Sequence, residues 1–470
     1  MTSSGGSANG PVLNLGIIGL GGGASQMLPA FARHSRVRVT AAADIDLDNA
    51  SATAGTDLSM TAATDVTLDG SNAEATTGDL SLTGTDGDVM LTDSLAIAAN
   101  DLSVDAGANV GLTDSTALAQ RHQNVTAGDN VVLEGSALVA NGGDLTVTAD
   151  TGDIDLADLS QAFANGELTA TAGNNVTLTD SLATASNGKL VVTATEGDLA
   201  LTDSGLTAGD ALTASAAGDI IGSKGNAFAG TDLDLHAGNG VALTDIDLHA
   251  GQAMTVTADA ADIMLDDSRV IASTDLTLDA AGNIKLMDTG NDDGVGSDIT
   301  AINGDLSVTA GDSIVLDSAS HGFGHGNVTA NAESGDLTVI EQSTLRADTG
   351  NLDLDAGQSV VVDDGLLLAH TDLDITAGDD VTLTDTTAKA ATGALAIDAD
   401  GDVRLSNTRP QSEGDQSVRA GGEIAMSDGS EMVTQSDLAL QAGGDIAITR
   451  LQAQGDVSVT SDTGGLSADP

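Results

Sequence analysis

Residues 78–94 read GDLSLTGTDGDVMLTDS and contain two short segments in which apolar and polar residues alternate. Alternation with a period of two is typical of a β-strand that is buried on one face only. Each segment begins after a Gly-Asp pair, and both residues are common in tight turns between strands. This stretch therefore predicts two half-buried strands joined by a corner.

The same pattern recurs along most of the chain with a period of about 22 residues. A period between about 20 and 50 residues indicates a solenoid, in which one repeat can bury its apolar face only against its neighbours. The leading apolar residues of the successive first strands are Leu58, Leu80, Leu102, Val125, Leu145, Leu168, Leu190, Leu212, Leu233, Met254, Leu276, Leu306, Val328, Leu352, Leu373, Leu395, Val418, Leu438 and Val457.

A third, less regular segment follows each pair of strands, as in Leu95-Ala96-Ile97. Three segments per repeat predict a triangular coil, and parallel stacking of coils favours right-handed winding. We therefore predict an all-β fold, a right-handed parallel β-helix of about 19 coils that would span about 90 Å at about 4.8 Å per coil. The longest break in the period predicts an inserted loop at 291–297, and the HGFGH sequence at 321–325 predicts a local irregularity.

The composition supports one long array rather than several globular domains. The 470 residues include no Trp, no Tyr and four Phe, so small aliphatic side chains must fill a thin core. A hydrophobic content of 40% is too high for a disordered acidic tail, even at a net charge of −57. Cysteine is absent, which excludes disulfides and thiolate metal sites, and no apolar run reaches the ~18 residues of a membrane-spanning helix. We therefore expect no membrane insertion.

The negative charge comes mostly from aspartate, and turn formation explains most of it, since aspartate caps turns through its own backbone hydrogen bonds. Turn formation does not explain the shortage of Lys and Arg. Because a charge this negative repels nucleic acid and anionic membrane surfaces, we expect neither as a partner. It also suggests surroundings rich in salt or divalent cations, which would screen the stacked charges.

The N-terminal residues differ from the rest, because 1–46 carry three arginines and two aspartates, a net charge of +1, whereas 47–470 carry a net charge of −58. We predict a flexible N-terminus at 1–11, a βαβ-like segment at 12–46 and the repeat domain at 47–470. In the βαβ-like segment, apolar runs at 12–18 and 37–43 predict strands, and 25–34 has helical character. A glycine-rich turn at 19–24 and an acid after the second strand complete the order of a dinucleotide-binding unit.

Residues 13–46, LNLGIIGLGGGASQMLPAFARHSRVRVTAAADID, resemble the first βαβ unit of the Gfo/Idh/MocA family of NAD(P)-dependent dehydrogenases. The resemblance implies that Gly19, Gly21 and Ala24 form the phosphate turn and that Asp44 lies beside the adenosine ribose. The Glu-Lys-Pro motif of the family is missing, and one βαβ unit lacks the adjoining strands of a nucleotide cleft.

The segment 12–46 is therefore interpreted as a fragment that caps the open end of the solenoid, and an NAD(P)-dependent oxidoreductase is the alternative function. A second alternative takes 12–32 as a signal peptide cleaved at Ala30-Phe31-Ala32, although a basic n-region is missing and glycines interrupt the apolar run.

The repeats resemble the β-helical shaft of filamentous-haemagglutinin-type adhesins over about residues 50–465. The resemblance implies a non-enzymatic structural protein outside the cell or at its surface, with host, cell-surface or matrix ligands as partners. Two features of the family, the N-terminal secretion domain and a separate adhesive or toxin module, are not recognisable in this sequence. The oligomeric state stays open.

A Leu-Thr-Asp-Ser corner recurs in the repeats, and two interpretations of it remain open. It places Asp93, Asp114, Asp180 and Asp203 at equivalent positions, where stacked carboxylates could bind Ca²⁺ weakly. Alternatively, each Asp closes its turn and the following Ser or Thr forms ladder hydrogen bonds.

Two other kinds of site are compatible with the sequence, a carboxylate pair that cleaves polysaccharides and a pair of histidine metal ligands. Paired carboxylates also permit a polysaccharide hydrolase or lyase, but the absence of Trp and Tyr to stack on sugars argues against it. A metal pair at His321 and His325 is set against an exposed irregular turn. Neither alternative displaces the structural reading, and we predict no catalytic residue and no cofactor beyond the NAD(P) and Ca²⁺ alternatives.

Overall fold

The computed structural model describes residues 13–15, 37–289 and 296–468. Within these ranges every regular element is a β-strand and no helix occurs. The chain divides into two compact units, Met1–Ser215 and Ala216–Pro470. In both units the chain passes through three strands per coil, which we call face 1, face 2 and face 3 in the order of the chain.

Unit 1 begins with two strands, Leu13–Leu15 and Val37–Ala42. Its face 1 consists of Leu58–Ala62, Leu80–Gly84, Leu102–Ala106, Gln123–Ala127, Leu145–Ala149, Leu168–Ala172, Leu190–Ala194 and Leu212–Ala216, the last of which ends at the unit boundary. Its face 2 consists of Ile45–Asp48, Val66–Asp69, Val89–Thr92, Val110–Thr113, Val131–Glu134, Ile154–Ala157, Val176–Thr179 and Leu199–Thr202. Its face 3 consists of Ser51–Ala54, Asn72–Ala75, Leu95–Ala98, Thr116–Ala119, Ala137–Ala140, Gln161–Ala164, Leu182–Ala185 and Gly205–Ala208.

Unit 2 begins with two long strands, Ile220–Ala229 and Val241–Ala250, each of which runs through faces 2 and 3. Its face 1 consists of Leu233–Ala237, Met254–Ala258, Leu276–Ala280, Leu306–Ala310, Val328–Ala332, Leu352–Ala356, Leu373–Ala377, Leu395–Ala399, Gln416–Ala420, Leu438–Ala442 and Val457–Ser461. Its face 2 continues with Ile263–Asp266, Ile284–Met287, Ile314–Leu316, Leu337–Ile340, Val360–Asp363, Val381–Thr384, Val403–Ser406, Ile424–Ser427, Ile446–Ile448 and Leu466–Ala468. Its face 3 continues with Arg269–Ala272, Asp298–Ala301, His321–Gly324, Thr344–Ala347, Leu366–Ala369, Thr387–Ala390, Gln411–Ser412, Glu431–Thr434 and Arg450–Ala453.

Within each unit, every strand pairs in parallel with the equivalent strand of the neighbouring coil. Leu80, for example, is in register with Leu58 and Leu102. Alternate residues point inward, so similar residues form buried columns, and alanine fills most positions of the last inward column of face 3. The predicted parallel β-solenoid of about 19 coils with a spacing of about 22 residues is confirmed.

The alignment of two coils differs from the one predicted from the leading apolar residues. The face-1 column passes through Gln123 and Gln416, and the residues assigned to it, Val125 and Val418, occupy the next inward position. Both glutamines are buried at 2% and 1% exposure, between leucines of the adjacent coils. The first position of each strand is identified in the sequence by its apolar residue. Because glutamine is polar, the apolar residue two positions later is mistaken for the first position in these two coils.

The predicted irregularity at 321–325 is wrong, because His321–Gly324 is a regular face-3 strand. Gly324 occupies the inward position that alanine fills in the adjacent coils, whereas Gly322 is in register with Ile299 and Leu345. The irregularity lies in the preceding corner, where Ser318 and Ala319 both have positive φ. Most of the predicted loop at 291–297 lies outside the described residues, and the register from Leu276 to Leu306 resumes after it.

The N-terminal strands continue face 1 of unit 1. Leu13–Leu15 pairs in parallel with Val37–Ala42, which pairs in turn with Leu58–Ala62 across a register shift. These two strands agree with the strand predictions for 12–18 and 37–43. The predicted glycine turn and helix lie outside the described residues, and the domain boundaries and the capping role stay predictions.

We predict that Gln123→Leu stabilises the protein by about 1–3 kcal/mol. Neither amide atom of Gln123 has a hydrogen-bond partner among the described residues, and a buried polar group without a partner carries its desolvation cost uncompensated. The free energy of unfolding from urea denaturation measures the effect. Asn124→Leu is the control, because Asn124 is exposed on the outer surface of the same strand. A loss of stability in Gln123→Leu would contradict the assignment of an unpaired amide.

Candidate functional site

The corner between faces 2 and 3, which we call corner 2, is the feature that the sequence singled out. Asp93, Asp114, Asp180 and Asp203 all have left-handed backbone, with φ between 47° and 51°. Asparagine, aspartate and especially glycine tolerate this conformation better than other residues. Gly70 and Gly135 occupy the same corner in other coils, with φ of 55° and 59°. The backbone of the turn therefore accounts for the residue types at this position.

A buried hydroxyl follows each of these four aspartates and links the coils. The Ser94 N–H donates to Ser115 Oγ at 3.0 Å, and the Ser94 hydroxyl donates to the Thr92 carbonyl at 2.6 Å. Such N–H to Oγ bonds connect Ser71, Ser94, Ser115, Ser136 and Ser160 in unit 1, and Ser268, Ser297, Ser320 and Ser343 in unit 2. The serine ladder satisfies corner N–H groups that would otherwise be buried without an acceptor. These bonds are the hydrogen-bond ladder expected if each Asp closes its turn and the following Ser or Thr links the coils.

The four aspartates form two pairs rather than one continuous row. Asp93 and Asp114 lie in adjacent coils, as do Asp180 and Asp203, since the strands that flank them are in register. Gly135 and the Asp158-Leu159 corner separate the two pairs. All four side chains are exposed, and among the described residues no group of three or more His, Asp or Glu side chains could hold a metal ion. Calcium binding at these residues stays a prediction.

The corner between faces 1 and 2, which we call corner 1, carries a different ladder. Its Asp or Asn side chain accepts the backbone N–H of the equivalent residue in the next coil. Asn109 N–H, for example, donates to Asp88 Oδ1 at 2.9 Å. In unit 1 this ladder is unbroken through Asp65, Asp88, Asn109, Asn130, Asp153, Asn175 and Asp198.

The corner between face 3 and the next coil, corner 3, repeats this arrangement. There the ladder runs through Asp57, Asp79, Asp101, His122, Asp144 and Glu167. The sequence predicted that aspartate caps its own turn, but these side chains cap the backbone of the following coil. The sequence signal for these bonds between coils is the regular recurrence of Gly-Asp and Asn residues immediately before the strands, and it was not recognised.

Glycine precedes several of these acceptors, as at Gly78, Gly87 and Gly152, because the coils approach closely there. A Cβ atom at Gly78 would lie 2.6 Å from the Thr56 carbonyl carbon and 2.7 Å from the Asp57 amide nitrogen. Both distances are shorter than a van der Waals contact, so any side chain would force adjacent coils apart. The Gly-Asp pair is therefore a unit, in which the glycine permits the approach and the aspartate accepts the N–H group.

Of the residues predicted to bind a dinucleotide, Asp44 belongs to the part of the chain that the structure describes. Gly19, Gly21 and Ala24 lie outside the described residues. Asp44 is exposed at corner 1 of the first coil, where its carboxylate accepts a hydrogen bond from the Thr64 hydroxyl of the next coil. The NAD(P) assignment stays a prediction.

His321 and His325 do not form a pair of ligands. His321 Nδ1 lies 3.0 Å from Asp298 Oδ1 in the preceding coil. His325 is exposed at corner 3, where its backbone bonds to Ala301 and Thr349. The two residues thus lie at different places, one at the start of the strand and the other at the corner that follows it.

An acidic cluster lies on the outer surface of face 1 in unit 2. Asp353 and Asp374 are in register on adjacent strands. Partial burial raises the pKa of both carboxyl groups, and the nearby charges of Asp372 on both and of Asp374 on Asp353 raise it further. Their ionised forms are therefore disfavoured by folding.

The basic side chains of face 2 in unit 2 neutralise corner aspartates locally. Lys285 Nζ lies 3.1 Å from Asp262, and an Arg404 nitrogen lies 2.7 Å from Asp380. The hydrogen bond from the Asp402 backbone and the Arg404 guanidinium lower the pKa of Asp380. At Asp262, burial raises the pKa of the carboxyl group, but hydrogen bonds from Asn283 and Lys285 outweigh burial, so the pKa is lowered overall. These pairs are exposed or half-exposed, so each contributes little stability.

Comparison with known proteins places a family model on unit 2. Residues 236–384, about a third of the chain, match the model of the hemagglutinin repeat. No curated protein and no solved structure matches the chain. No helix among the described residues is long and apolar enough to cross a membrane. The chain is thus similar to filamentous-haemagglutinin-type proteins over part of its β-solenoid.

We predict that Asp114→Ala destabilises the protein by about 1–2 kcal/mol, whereas Asp114→Gly is close to neutral. The left-handed backbone at this corner is strained for alanine and free for glycine. Thermal melting of both variants, with and without calcium, measures the difference. Equal stability of the two variants would contradict the turn-based explanation of this aspartate, and a calcium-induced rise in Tm that both variants lose would support the calcium interpretation.

We also predict that Asp374→Asn raises Tm at pH 7 by up to about 2 °C and that the gain disappears below about pH 4. Because the pKa of Asp374 is raised above 3.8 in the folded state, ionisation destabilises the fold. This destabilisation is complete above the raised pKa and absent below 3.8. Melting curves from pH 3 to pH 7 measure it, with Asp355→Asn on the neighbouring strand as control. A gain that persists unchanged at pH 3 would contradict the electrostatic origin.

Proposed function

We propose that this chain is a non-enzymatic, adhesin-like structural shaft that acts outside the cell or on its surface. The observation that carries the proposal is the in-register stacking of coils in both units, sustained by side-chain ladders at the corners. The match of residues 236–384 to the hemagglutinin repeat supports the same conclusion from the sequence side.

The physical design suits a load-bearing element better than a catalyst. Each coil forms backbone hydrogen bonds to the coil before and the coil after it, so local opening of one coil breaks two sets of bonds. Aliphatic side chains fill the interior, as the inward Leu80, Leu82 and Ala96 of one coil illustrate. The outward residues are mostly Ser, Thr and Asp, which keep the surface hydrated.

The partners in this proposal are cell-surface or matrix ligands that contact outward side chains on successive coils. A repeat presents similar side chains at intervals of about 4.8 Å. Several weak contacts made simultaneously can therefore give strong attachment, because each later contact forms at a high effective concentration. Weak binding of divalent cations along corner 2 is part of the proposal, since Asp93 and Asp114 bring two exposed carboxylates to adjacent coils.

Labelling of the source cells tests the location and the role together. An antibody against the purified chain should stain intact cells, and external protease should remove the stain without lysis. Purified chain should also attach to immobilised matrix proteins, and heat-unfolded chain at the same concentration is the control. Staining that appears only after permeabilisation, together with equal attachment of the folded and unfolded chains, would contradict the proposal.

A further inference from the structure

The outer surface of face 3 in unit 1 contains a region without charge. Six consecutive strands, from Leu95–Ala98 to Gly205–Ala208, have the sequences LAIA, TALA, ALVA, QAFA, LATA and GLTA. None contains an ionisable side chain, although the chain carries a net charge of −57. We call the outward surface of these strands the uncharged stripe.

The outward residues of the uncharged stripe are largely apolar. One outward column runs through Ile97, Leu118, Val139 and Phe163, which are in register on adjacent strands. Leu182 is 49% exposed on the next strand, and Leu159 is 78% exposed at the adjoining corner 2. The equivalent surface in unit 2 differs, since Arg269, Asp298 and His321 lie outward there. The four residues of this column are half-buried, and together with the exposed Leu182 and Leu159 they form a contiguous apolar surface, which is a mark of interaction sites.

Acidic residues border the uncharged stripe on both sides. On the corner-2 side the exposed carboxylates are Asp93, Asp114, Asp158, Asp180 and Asp203. On the corner-3 side the carboxylates of Asp101, Asp144, Glu167 and Asp210 outnumber the cations of Arg121 and Lys189, and the ring of His122 lies 3.4 Å from Asp144. The surface is thus an apolar strip between two rims, one wholly acidic and the other mainly acidic.

We propose that the uncharged stripe binds an amphipathic helix whose apolar face is bordered by lysine and arginine. Charge complementarity selects this partner, because basic flanks would meet both acidic rims while the apolar face covers the strip. The length also fits. Six coils at about 4.8 Å span about 25–30 Å, which is the length of a helix of about 16–20 residues at about 1.5 Å per residue.

A second copy of the chain fits this surface less well. Two copies placed face to face would bring like-charged rims together, and this repulsion is costly at close range. The strip measures about 30 Å by about 13 Å, or about 400 Å², because each strand contributes four residues at about 3.3 Å. That area is about half of the ~800 Å² per partner that stable protein–protein interfaces bury. A short helix covers it fully, so we expect a dissociation constant in the micromolar range.

The test uses the full chain and a synthetic 18-residue peptide with leucines on one helical face and lysines on both flanks. Calorimetry should show saturable binding with 1:1 stoichiometry and weaker affinity at higher salt. Two further peptides are the controls, one with glutamate in place of lysine and one with the same composition in scrambled order. The first lacks the complementary charge, and the second keeps the charge but lacks an apolar face.

Matched variants locate the binding surface. The double variant Leu118→Thr, Phe163→Thr should weaken binding at least tenfold, and it should remain folded because Thr184 and Thr207 occupy the same outward column. Val191→Thr is the control, since Val191 lies outward on face 1 beside Thr169. Asp114→Asn with Asp180→Asn should reduce the salt dependence while keeping residues that the left-handed corner tolerates.

Three results would overturn the proposal. Equal binding of the scrambled peptide would show only general attraction of cations to an acidic chain. An equal loss of binding in Val191→Thr would place the site elsewhere. If the chain associates with itself and the double variant Leu118→Thr, Phe163→Thr does not, the partner is a second copy of the chain. This inference goes beyond the proposed shaft function, and its test does not depend on where the chain acts.

Discussion

Parallel stacking of coils brings their corners so close together that most corner N–H groups donate to an acceptor in a neighbouring coil, and the rest of the structure follows from this constraint. Along the strands the neighbouring backbone supplies the acceptors. At the corners the neighbouring backbone still supplies many acceptors, as when the Asp93 N–H donates to the Thr113 carbonyl at 3.0 Å, and side chains supply others. Serine hydroxyls do so at corner 2, and Asp or Asn side chains do so at corners 1 and 3, as Ser115, Asp88 and Asp79 illustrate. A column of equivalent side chains extends through the coils because each one repeats the same bond.

The composition of the chain is a consequence of the same geometry. Coils spaced by about 4.8 Å have Leu, Val, Ile and Ala in the interior, and alanine fills most of the inward positions at the end of face 3. The corners select glycine for close approach and aspartate for its acceptor and its tolerance of positive φ, as at Gly78 and Asp114. Much of the large negative charge is therefore a by-product of corner capping, and the uncharged stripe is a departure from it.

The fold could be predicted from the sequence because its signal is repeated many times, so that errors in single coils do not change the architecture. The period identified the strands, and the register of Leu58, Leu80 and Leu102 confirms it. The assignment of Val125 and Val418 was wrong because the true column contains Gln123 and Gln416, whose polarity hides their burial. The candidate site was predicted only in part. The Leu-Thr-Asp-Ser motif located corner 2. The side chains of Asp88 and Asp79, however, accept hydrogen bonds from backbone N–H groups of the next coil. A contact between residues about 22 positions apart is not visible in a local motif.

Hydrogen exchange of individual corner amides tests the central claim most directly. Exposed turns in ordinary proteins exchange rapidly, because their N–H groups bond to water. Here the amides of Ser94, Asn109 and Asn130 donate to side chains of adjacent coils. The account predicts that these corner amides exchange as slowly as those of the flanking strands. Exchange at the rate of free turns, with protection confined to the strands, would contradict it.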